Sequence, residues 1–454
     1  MRSAPSAGAP VSVSPPVLAE PLVDCLRTLC AQPTGAGHPD ELRAGAELIA
    51  ALLAELGMQV QLVDEPGPPL VLARRAGRSP YTLLLYHRFD APPPGPWRAW
   101  SHEPFQLAER DGALYGRGVA EGKGPLAAQL QALTALLQAE GELPCGVVVV
   151  ADGGGLSGSP SLPAALAAHG DLLRAEACLA SLGDRDAAGL PLCYSGSKGL
   201  LHLRLSARGP AHPLPPGAAP ALRNPLWRLI WALASIKGAD EDIRIPGFYD
   251  SVEGPSREEN TLLRQLRLDE PGRLAAWGAE EFLFGMSGAA LARAEVTLPT
   301  CNLSLVHSTP ASGLAQLPAA ASAVLDFQLV PGQQPAQVAA LLRAHLDEQG
   351  FADVTLERLP GGYPPARTAP EAPFVQQVAA AGAVVHGAPL PIVPAGGFTV
   401  PLQLFTAALG VPCASVGVAR AASAPFGPDE HIPLVDLIRH GQLLIALLQA
   451  LAAA

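Results

Sequence analysis

Acidic and imidazole side chains stand at the ends of several apolar runs of this sequence. Their oxygens and nitrogens are the ligands with which proteins hold zinc and similar divalent cations. If the runs are neighbouring strands of one sheet, these side chains meet at one edge and could hold a single metal ion. The candidate ligands are His87, Asp90, Glu121, Asp152, and either Asp184 or Asp186.

Four of these candidates also have a simpler interpretation. His87 could be an ordinary histidine at a strand end, and Glu121, within GRGVAEGKG, could be a solvated carboxylate of a glycine-rich loop. Asp184 and Asp186 lie in the segment GDRD, which is typical of a turn. Residue types and spacing therefore leave the metal site as one hypothesis beside a plain structural one.

The apolar runs that carry these residues alternate with helical patterns. TLLLYH, CGVVVVADG and ACLASL have the length and composition of buried strands. GPLAAQLQALTALLQAE and SLPAALAAHGDLL have the periodicity of helices. This alternation predicts an α/β fold with a mostly parallel sheet flanked by helices and an active site at the strand ends.

A different pattern begins near residue 197. GLLHLRLSARG and ASAVLDFQLVPG alternate as half-exposed strands, and the helical segment NPLWRLIWALASIKG lies between them. The pattern predicts an α+β domain inserted at residues 197–366. The other predicted parts are a flexible arm at 1–16 and an α/β domain formed by 17–196 and 367–454.

Composition and charge exclude several classes of function. The 454 residues carry a formal charge of −11 with only 30 lysines and arginines, which argues against a nucleic-acid partner. The seven cysteines form no zinc-binding spacing, which predicts reduced thiols. The N-terminal residues lack the apolar region of a signal peptide, and the longest apolar stretches are shorter than the ~20 residues of a membrane span. We therefore expect a cytoplasmic protein without a membrane partner.

Several longer motifs, taken together, resemble one enzyme family. They are, in chain order, YHRFDAPPPGPWRAWSHEPFQLAERDGALYGRGVAEGKG, GSP, GSKGLL, PTCN, LDFQLVPGQQP and GPDEHI. This set is similar to the zinc-dependent aminoacylase and carboxypeptidase G family, especially its carnosinase-like dipeptidase branch. The resemblance spans nearly the whole chain and implies an α/β catalytic domain with an inserted lid or dimerisation domain.

The resemblance also implies a pair of zinc ions bridged by a carboxylate, with a glutamate as general base on the bridging water. Asp90 aligns with the aspartate that orients a histidine ligand, and Arg88 stands where that histidine would be. His87, one residue earlier and on the opposite face of the strand, is a possible shifted ligand. The bridging carboxylate falls on Glu121.

The remaining metal positions of the resemblance carry side chains without metal-binding chemistry. The general base falls on Gly155, and the zinc ligand beside it falls on Leu156. A further acidic ligand falls on Ser181 or Leu182, and a histidine ligand falls on Phe426. One of five ligand positions therefore keeps a carboxylate, and the replacements Leu156 and Phe426 are expected to make the site apolar.

The positions that the resemblance assigns to substrate binding differ as well. The arginine expected to bind a substrate carboxylate is Gln328, which cannot form the same charged bidentate clamp. A histidine that reaches the partner subunit's active site falls near Leu214, with His212 two residues away. The resemblance further implies a homodimer formed through the inserted domain.

Three functional hypotheses remain open. The leading one is a degenerate member of the family, a pseudoenzyme without a cofactor, which binds a small peptide or amino-acid-like ligand or regulates a partner such as an active paralogue. The alternative is an active metallopeptidase that hydrolyses dipeptides or N-acyl amino acids at a remodelled site with a single divalent metal. The third is non-metal chemistry at an anion site formed by Arg88, Arg117 and Lys123.

Overall fold

The structure is a computed structural model that describes residues 14–64, 67–311 and 313–453. The chain divides into two compact units. The first, called the α/β unit, comprises the chain up to Ser197 together with Pro255–Val296 and Ala366–Ala454. The second, called the inserted unit, comprises Lys198–Gly254 and Thr297–Pro365. Most of the arm predicted at residues 1–16 lies outside the described residues.

The regular elements are numbered in chain order. The strands are β1 (Gln59–Val63), β2 (Leu70–Arg75), β3 (Gly77–Arg88), β4 (Ala108–Arg110), β5 (Ala113–Tyr115), β6 (Leu143–Asp152), β7 (Ala177–Ala180), β8 (Cys193–Tyr194), β9 (Gly196–Arg208), β10 (Thr300–Thr309), β11 (Ala320–Leu329), β12 (Thr355–Arg358), β13 (Ala366–Arg367), β14 (Ile392–Val393), β15 (Gly396–Thr399), β16 (Cys413–Ser415) and β17 (His431–Pro433). The helices are α1 (Ala19–Ala31), α2 (Pro39–Glu55), α3 (Lys123–Glu140), α4 (Leu162–Ala168), α5 (Gly170–Leu173), α6 (Pro225–Ile236), α7 (Arg257–Gln265), α8 (Glu270–Trp277), α9 (Gly288–Thr297), α10 (Pro335–Glu348), α11 (Pro373–His386), α12 (Leu402–Leu409) and α13 (Leu434–Ala453).

The α/β unit is built on a sheet with the strand order β1-β2-β6-β3-β7-β16-β8-β14. The pairs β3–β6, β3–β7, β7–β16 and β8–β14 are parallel, whereas β1–β2, β2–β6 and β8–β16 are antiparallel. Every residue of β6 is buried, as expected for a central strand covered on both faces. The predicted α/β class with a mostly parallel sheet is confirmed.

Side chains of the central strands alternate between two apolar layers. On β3, Leu83 and Leu85 pack into a core that also contains residues of α1, α2, α3, α11 and α13. Leu84 and Tyr86 pack into the opposite core, which contains residues of α4 and α12. Because the side-chain period of a strand is two, each residue at the end of β3 has a fixed face.

The inserted unit contains the antiparallel order β10-β11-β9-β12. Residues of β11 alternate between buried and partly buried, and the buried ones pack with residues of α6 and α10 in one core. This is the α+β arrangement predicted for the insertion. The antiparallel pairing lets one face of the sheet carry the core while the other keeps more polar residues.

The segment Pro255–Val296 belongs to the α/β unit, although the predicted insertion at 197–366 includes it. Leu263 of α7 and Ala292 and Val296 of α9 pack in a core with Leu192 and Tyr194. These contacts join residues that are about seventy or more positions apart, so local periodicity carries no sign of them. The predicted boundary at 197–366 is therefore too wide by this segment.

The last helix, α13, has 20 residues and is the one helix of the described chain that is long and apolar enough to cross a membrane. The apolar helix thus reaches the length that was predicted to be absent. Within the fold, 61% of its apolar window is buried. Its Asp436 is fully buried and forms ion pairs with Arg185 at 3.2 Å and Arg420 at 2.6 Å.

Candidate functional site

A buried glutamate organises the loop that follows β5. Glu430 is 1% exposed, and its Oε2 accepts hydrogen bonds from the amide of Gly118 at 2.9 Å and from Nη1 of Arg117 at 3.0 Å. Its Oε1 accepts from the amides of Ala120 at 2.9 Å and Glu121 at 3.4 Å. Burial raises the pKa of Glu430 to about 7, against the opposing effect of these bonds. One carboxyl thus fixes the loop that presents Glu121.

Arg117 and Lys123 are buried and hold backbone carbonyls. Arg117 donates to the carbonyl oxygens of Pro425 at 2.8 Å and Gly427 at 3.0 Å. Nζ of Lys123 donates to the carbonyl oxygen of Gln32 at 2.7 Å. Because both side chains are nearly inaccessible and already bonded, they do not present charge to a ligand. The anion site that the sequence suggested around them is therefore wrong.

Arg88 and Glu121 form an ion pair at the end of β3. The Arg88 side chain is 12% exposed and the Glu121 side chain 23%. The loop that carries Glu121 packs directly on the end of β3. Gly122 of this loop is so close to the strand that an added Cβ would stand 2.8 Å from the carbonyl oxygen of Arg88. The residue at the predicted ligand position and the residue at the predicted bridging position are thus bonded to each other.

Gly155 lies on the other side of Arg88, in the turn after β6. A Cβ on Gly155 would stand 2.6 Å from Cβ of Arg88, 3.2 Å from its Cδ and 3.2 Å from Oδ1 of Asp90. The first distance is shorter than any normal contact, so a glutamate does not fit here while Arg88 keeps this position. The arginine occupies the space beside the predicted position of the general base.

Asp90 is a buried carboxyl with one free oxygen facing this space. Its Oδ2 accepts a hydrogen bond from the amide of Leu156 at 2.8 Å. Within the described part of the chain, Oδ1 has no hydrogen-bond partner, and the residue is 4% exposed. Burial and the neighbouring charge of Asp152 raise the pKa of Asp90 to about 7, although Arg88 lowers it.

Asp152, at the end of β6, is fully buried and bonded within the turn. Its Oδ1 accepts from the amide of Gly154 at 2.7 Å, and its Oδ2 accepts from the hydroxyl of Tyr86 at 3.0 Å. Burial raises its pKa despite these bonds. Asp152 therefore closes the turn that precedes Gly155.

His87 points to the opposite face of the sheet. Its Nε2 lies 3.0 Å from Oε1 of Gln129 on α3, and Nε2 of Gln129 bonds both His440 on α13 at 3.1 Å and Oγ of Ser181 at 2.9 Å. Burial lowers the pKa of His87 to about 4 and that of His440 to about 3. The possible shifted ligand His87 and the position Ser181 thus belong to a separate buried network, and the structure does not bring them to Glu121.

Asp184 and Asp186 have partners in the α/β unit. Oδ2 of Asp184 accepts from Arg273 at 3.2 Å, and Arg273 also binds Glu295 at 2.9 Å. Oδ1 of Asp186 accepts from the amides at 188 and 190, as the turn interpretation expected. Leu182, the other position considered beside Ser181, packs in an apolar core.

Leu156 and Phe426 do not make the site apolar. The Phe426 side chain is 65% exposed, because the carbonyls on both sides of it are held by Arg117 and the side chain turns outward. Leu156 is partly buried and contributes its amide to Asp90. The groups bonded at the end of β3 are instead the charged side chains of Arg88 and Glu121, so Phe426 does not supply the apolar lining that was expected.

Gln328 and His212, the two predicted substrate positions, lie in the inserted unit. Gln328 is partly buried on β11, opposite Thr300 of β10 and Leu200 of β9. His212 is exposed, and the nearby Leu214 pairs with Leu317. Their roles stay predictions.

The chemistry of these side chains does not fit a pair of zinc ions. Among the residues that the structure describes, no three His, Cys, Asp or Glu side chains form a group that could hold a metal. A guanidinium carries no lone pair for a metal, and at this edge it binds Glu121, the one carboxylate left at a predicted ligand position.

The chain belongs to the M20 peptidases. The family model described as "Peptidase family M20/M25/M40" matches residues 84–450, which confirms the family predicted from the motifs. Zinc is the usual metal of this family, so membership counts against the expectation that the chain binds no metal.

Curated relatives match over part of their length. The chain is 32% identical over 201 residues to a cysteinylglycine-S-conjugate dipeptidase of Corynebacterium striatum, covering 42% of this chain and 44% of the relative. It is 30% identical over 233 residues to a succinyl-diaminopimelate desuccinylase of Bordetella avium, covering 49% of this chain and 58% of the relative. The chain thus spans about half the length of these curated relatives.

Solved structures match over nearly the whole chain. An M20 family metallo-carboxypeptidase from Sulfolobus solfataricus superimposes with a TM-score of 0.87 at 26% identity, covering 95% of this chain and 99% of the other. Human carnosine dipeptidase 1 superimposes with a TM-score of 0.86 at 20% identity, covering 96% of this chain and 97% of the other. The matches cover both the α/β unit and the inserted unit, so the chain has the fold of this family over nearly its whole length.

Sequence reasoning missed one residue that shapes the site, Glu430, and two residues of the separate buried network around His87. Glu430 lies within the motif GPDEHI, so its motif was a usable signal. Gln129 and His440 are single polar residues on helices, and nothing in the local pattern indicates that they meet. Only the packing of α3 against α13 brings them together.

Proposed function

We propose that this chain is a degenerate M20 peptidase without metal-dependent hydrolase activity, which acts by binding. The observation that carries the proposal is the ion pair between Arg88 and Glu121. A bridging carboxylate must be free to bind two cations, and here it binds a guanidinium that stays protonated at any physiological pH. A metal ion at Glu121 would have to displace that cation.

The surroundings of Gly155 support the same proposal. General-base catalysis requires an ionisable side chain within hydrogen-bond reach of the water that it activates. A glycine offers none, and the position of Arg88 leaves no room for a side chain at residue 155. Position 155, implied for the base, has lost its side chain, and position 88, implied for a ligand, carries an arginine that fills the space beside it.

The proposed ligand is a small peptide or an amino-acid-like molecule, and the proposed role is binding or regulation, for example of an active paralogue. The support is the fold, which the chain shares with enzymes named as dipeptidases and carboxypeptidases. We propose a cytosolic location as well, in keeping with seven cysteines that are free and buried in the structure.

Metal content and hydrolysis test the proposal together. Protein purified without chelator is analysed by inductively coupled plasma mass spectrometry, before and after addition of zinc, cobalt or manganese. The same samples are assayed with dipeptides and N-acyl amino acids. We expect no stoichiometric metal and no hydrolysis above a buffer control.

The alternative, an active peptidase with a remodelled single-metal site, gives the opposite result. It requires near-stoichiometric metal and hydrolysis that falls when Glu121 or His87 is replaced by alanine. Activity that survives both replacements would reject that site as well. The two hypotheses are therefore separated by the metal content and hydrolytic activity of the wild-type protein and of two variants.

We also propose that the chain forms a homodimer through the inserted unit. Helix α6 exposes Trp227 and Trp231, whose side chains are 55% and 56% exposed and stack with ring centroids 6.0 Å apart. Large exposed aromatic residues of this kind are enriched in protein interfaces.

A further inference from the structure

A cavity of about 800 Å³ lies within the α/β unit, away from the strand ends that carry Arg88 and Glu121. Its wall is formed by β1, β2, α4, α5, α12 and the segment that precedes β7. Arg74, in this wall, is the fourth residue along β2 after Leu70, the partner of Asp152, and roughly 13 Å of strand separate the two ends. A volume of this size is typical of pockets that take small molecules.

The charged side chains in the wall of the cavity favour an anion. They are Arg74, Arg174 and Asp171, whereas the chain as a whole carries a formal charge of −11. Arg174 pairs with Asp171 at 3.1 Å, but the two side chains are 76% and 99% exposed. Such a pair contributes little stability, so the guanidinium of Arg174 can turn toward a ligand. An excess of positive charge in a concave wall attracts anions.

Arg74 is held in place by the segment that precedes β7. Its Nη1 donates hydrogen bonds to the carbonyl oxygens of Arg174 at 2.6 Å and Leu172 at 3.2 Å, and its Nη2 lies 3.5 Å from Oγ1 of Thr82. Within the described residues, its Nε has no hydrogen-bond partner and no acidic side chain forms an ion pair with it. A guanidinium that is fixed in position and keeps its charge is suited to bind a carboxylate.

Apolar side chains form the rest of the wall. Leu172 and Leu409 are partly buried, and Ala175 is buried. Gly170 adds open space, because a Cβ on this residue would meet no atom within 4 Å. A mostly apolar wall with a few fixed polar groups is what a small ligand with an apolar body requires.

We propose that this cavity binds a small carboxylate with an aliphatic body, of the size of an N-acyl amino acid or a dipeptide, and that Arg74 and Arg174 bind its carboxylate. The inference rests on the proposed function, from which it takes the class of ligand, and it adds the place at which that ligand binds. His169 and Gln59 also line the cavity, and their side chains can bond to the amide groups of such a ligand.

Calorimetric titration of the full chain tests the inference. The probe is N-acetyl-L-leucine, and the control is N-acetyl-L-leucinamide, which has the same body without the charge. We expect one molecule of N-acetyl-L-leucine to bind per chain, and the amide to bind at least about tenfold more weakly. Inorganic phosphate is the third probe, and phosphate that binds more tightly than N-acetyl-L-leucine would overturn the assignment of a carboxylate ligand.

Two variants locate the binding site. Arg74→Gln removes the fixed cation and should weaken binding by at least about tenfold. Because Arg74 also holds two carbonyls, a second variant, Ala408→Trp, leaves it intact and fills the cavity from α12. Ala407→Trp is the matched control, since residue 407 is exposed on the same helix and lies outside the cavity wall. Circular dichroism establishes that each variant folds.

The outcomes separate this inference from the proposed function. We expect A408W to lose binding and A407W to keep it. A wild-type chain that does not bind N-acetyl-L-leucine, or a folded A408W that binds it as wild type does, overturns the inference and leaves the proposed loss of hydrolysis intact. Stoichiometric metal with hydrolysis overturns the proposed function, whereas binding that A408W alone abolishes would still place the carboxylate in this cavity.

Discussion

Arg88 and Glu121 carry opposite charges at the edge of the sheet, and each is mostly buried. Replacing Glu121 by glutamine leaves the guanidinium partly buried without its counter-charge. Removing one partner of a fully buried pair costs about 3–5 kcal/mol, and partial exposure reduces this to about 1–2 kcal/mol. We expect E121Q to lower the free energy of unfolding by that amount, measured by urea denaturation.

Glu357→Gln is the matched control for this prediction. Glu357 pairs with Arg204 at 3.0 Å, but the two side chains are 60% and 42% exposed. Exposed pairs contribute less than about 1 kcal/mol. Equal effects of E121Q and E357Q would show that the pair at β3 is an ordinary surface pair.

Gly155 is constrained by Arg88 rather than by its own backbone conformation. Adding a methyl group places Cβ 2.6 Å from Cβ of Arg88, which forces a shift of the turn or the strand. We expect Gly155→Ala to lower the free energy of unfolding by about 1–3 kcal/mol. Gly170→Ala, where no atom lies within 4 Å of the added Cβ, should change it by less than about 0.5 kcal/mol. A neutral G155A would contradict the crowding described here.

Three elements meet at the network of His87, Gln129 and His440: strand β3, helix α3 and helix α13. Burial lowers the pKa of His440 to about 3, from about 6.5 for a free histidine. Because the unfolded chain takes up the proton more readily, stability is lost as the pH falls from about 6.5 toward the folded pKa.

Between pH 7 and pH 5 this loss amounts to about 2 kcal/mol for His440. We expect His440→Gln to lose less stability over that interval than wild type, by about this amount, in urea unfolding at both pH values. The raised pKa values of the buried acids Asp90 and Glu430 have the opposite effect, because these groups favour the folded state as the pH falls. Both acids are present in wild type and in H440Q, so their contribution cancels when the two proteins are compared.

His212→Gln is the control for the pH dependence. His212 is exposed in the inserted unit, so its replacement should leave the pH dependence of wild type unchanged. If the free energy of unfolding changes with pH by the same amount in wild type and in H440Q, His440 is not buried in its neutral form.

At the level of elements, the sequence predicted the strands well because apolar composition and flanking turns are local signals. The runs at 82–87, 145–153 and 177–182 correspond to β3, β6 and β7. The helices of Pro255–Val296 were missed as part of the α/β unit because their partners, Leu192 and Tyr194, are distant in sequence.

Part of the candidate site was also predictable, because its residues follow strands that local sequence signals identify. Parallel strands end at one edge, and Asp90, which follows β3, does lie beside Gly155, which follows β6. The outward direction of Phe426 was not predictable, because it depends on two carbonyl contacts with Arg117. Side-chain direction in loops is set by such nonlocal bonds.

The whole molecule contains two compact units and an exposed aromatic pair on one of them. If the inserted unit forms a homodimer through α6, a charge at Trp231 should disrupt it. We expect wild type to elute as a dimer and Trp231→Glu as a monomer, with masses taken from multi-angle light scattering. Trp97→Glu alters a tryptophan of similar exposure, 54%, in the α/β unit and should remain dimeric. A monomeric wild type would reject the proposed dimer.

The strand ends of this M20 fold carry no group of three metal-binding side chains within the described residues. Arg88 binds the one carboxylate that remains at a predicted ligand position, and Gly155 stands at the predicted position of the general base. The most direct test is the metal content of unchelated protein after incubation with zinc, measured by inductively coupled plasma mass spectrometry. We predict well under one metal ion per chain. One or two zinc ions per chain, bound stoichiometrically and accompanied by dipeptide hydrolysis, would contradict it.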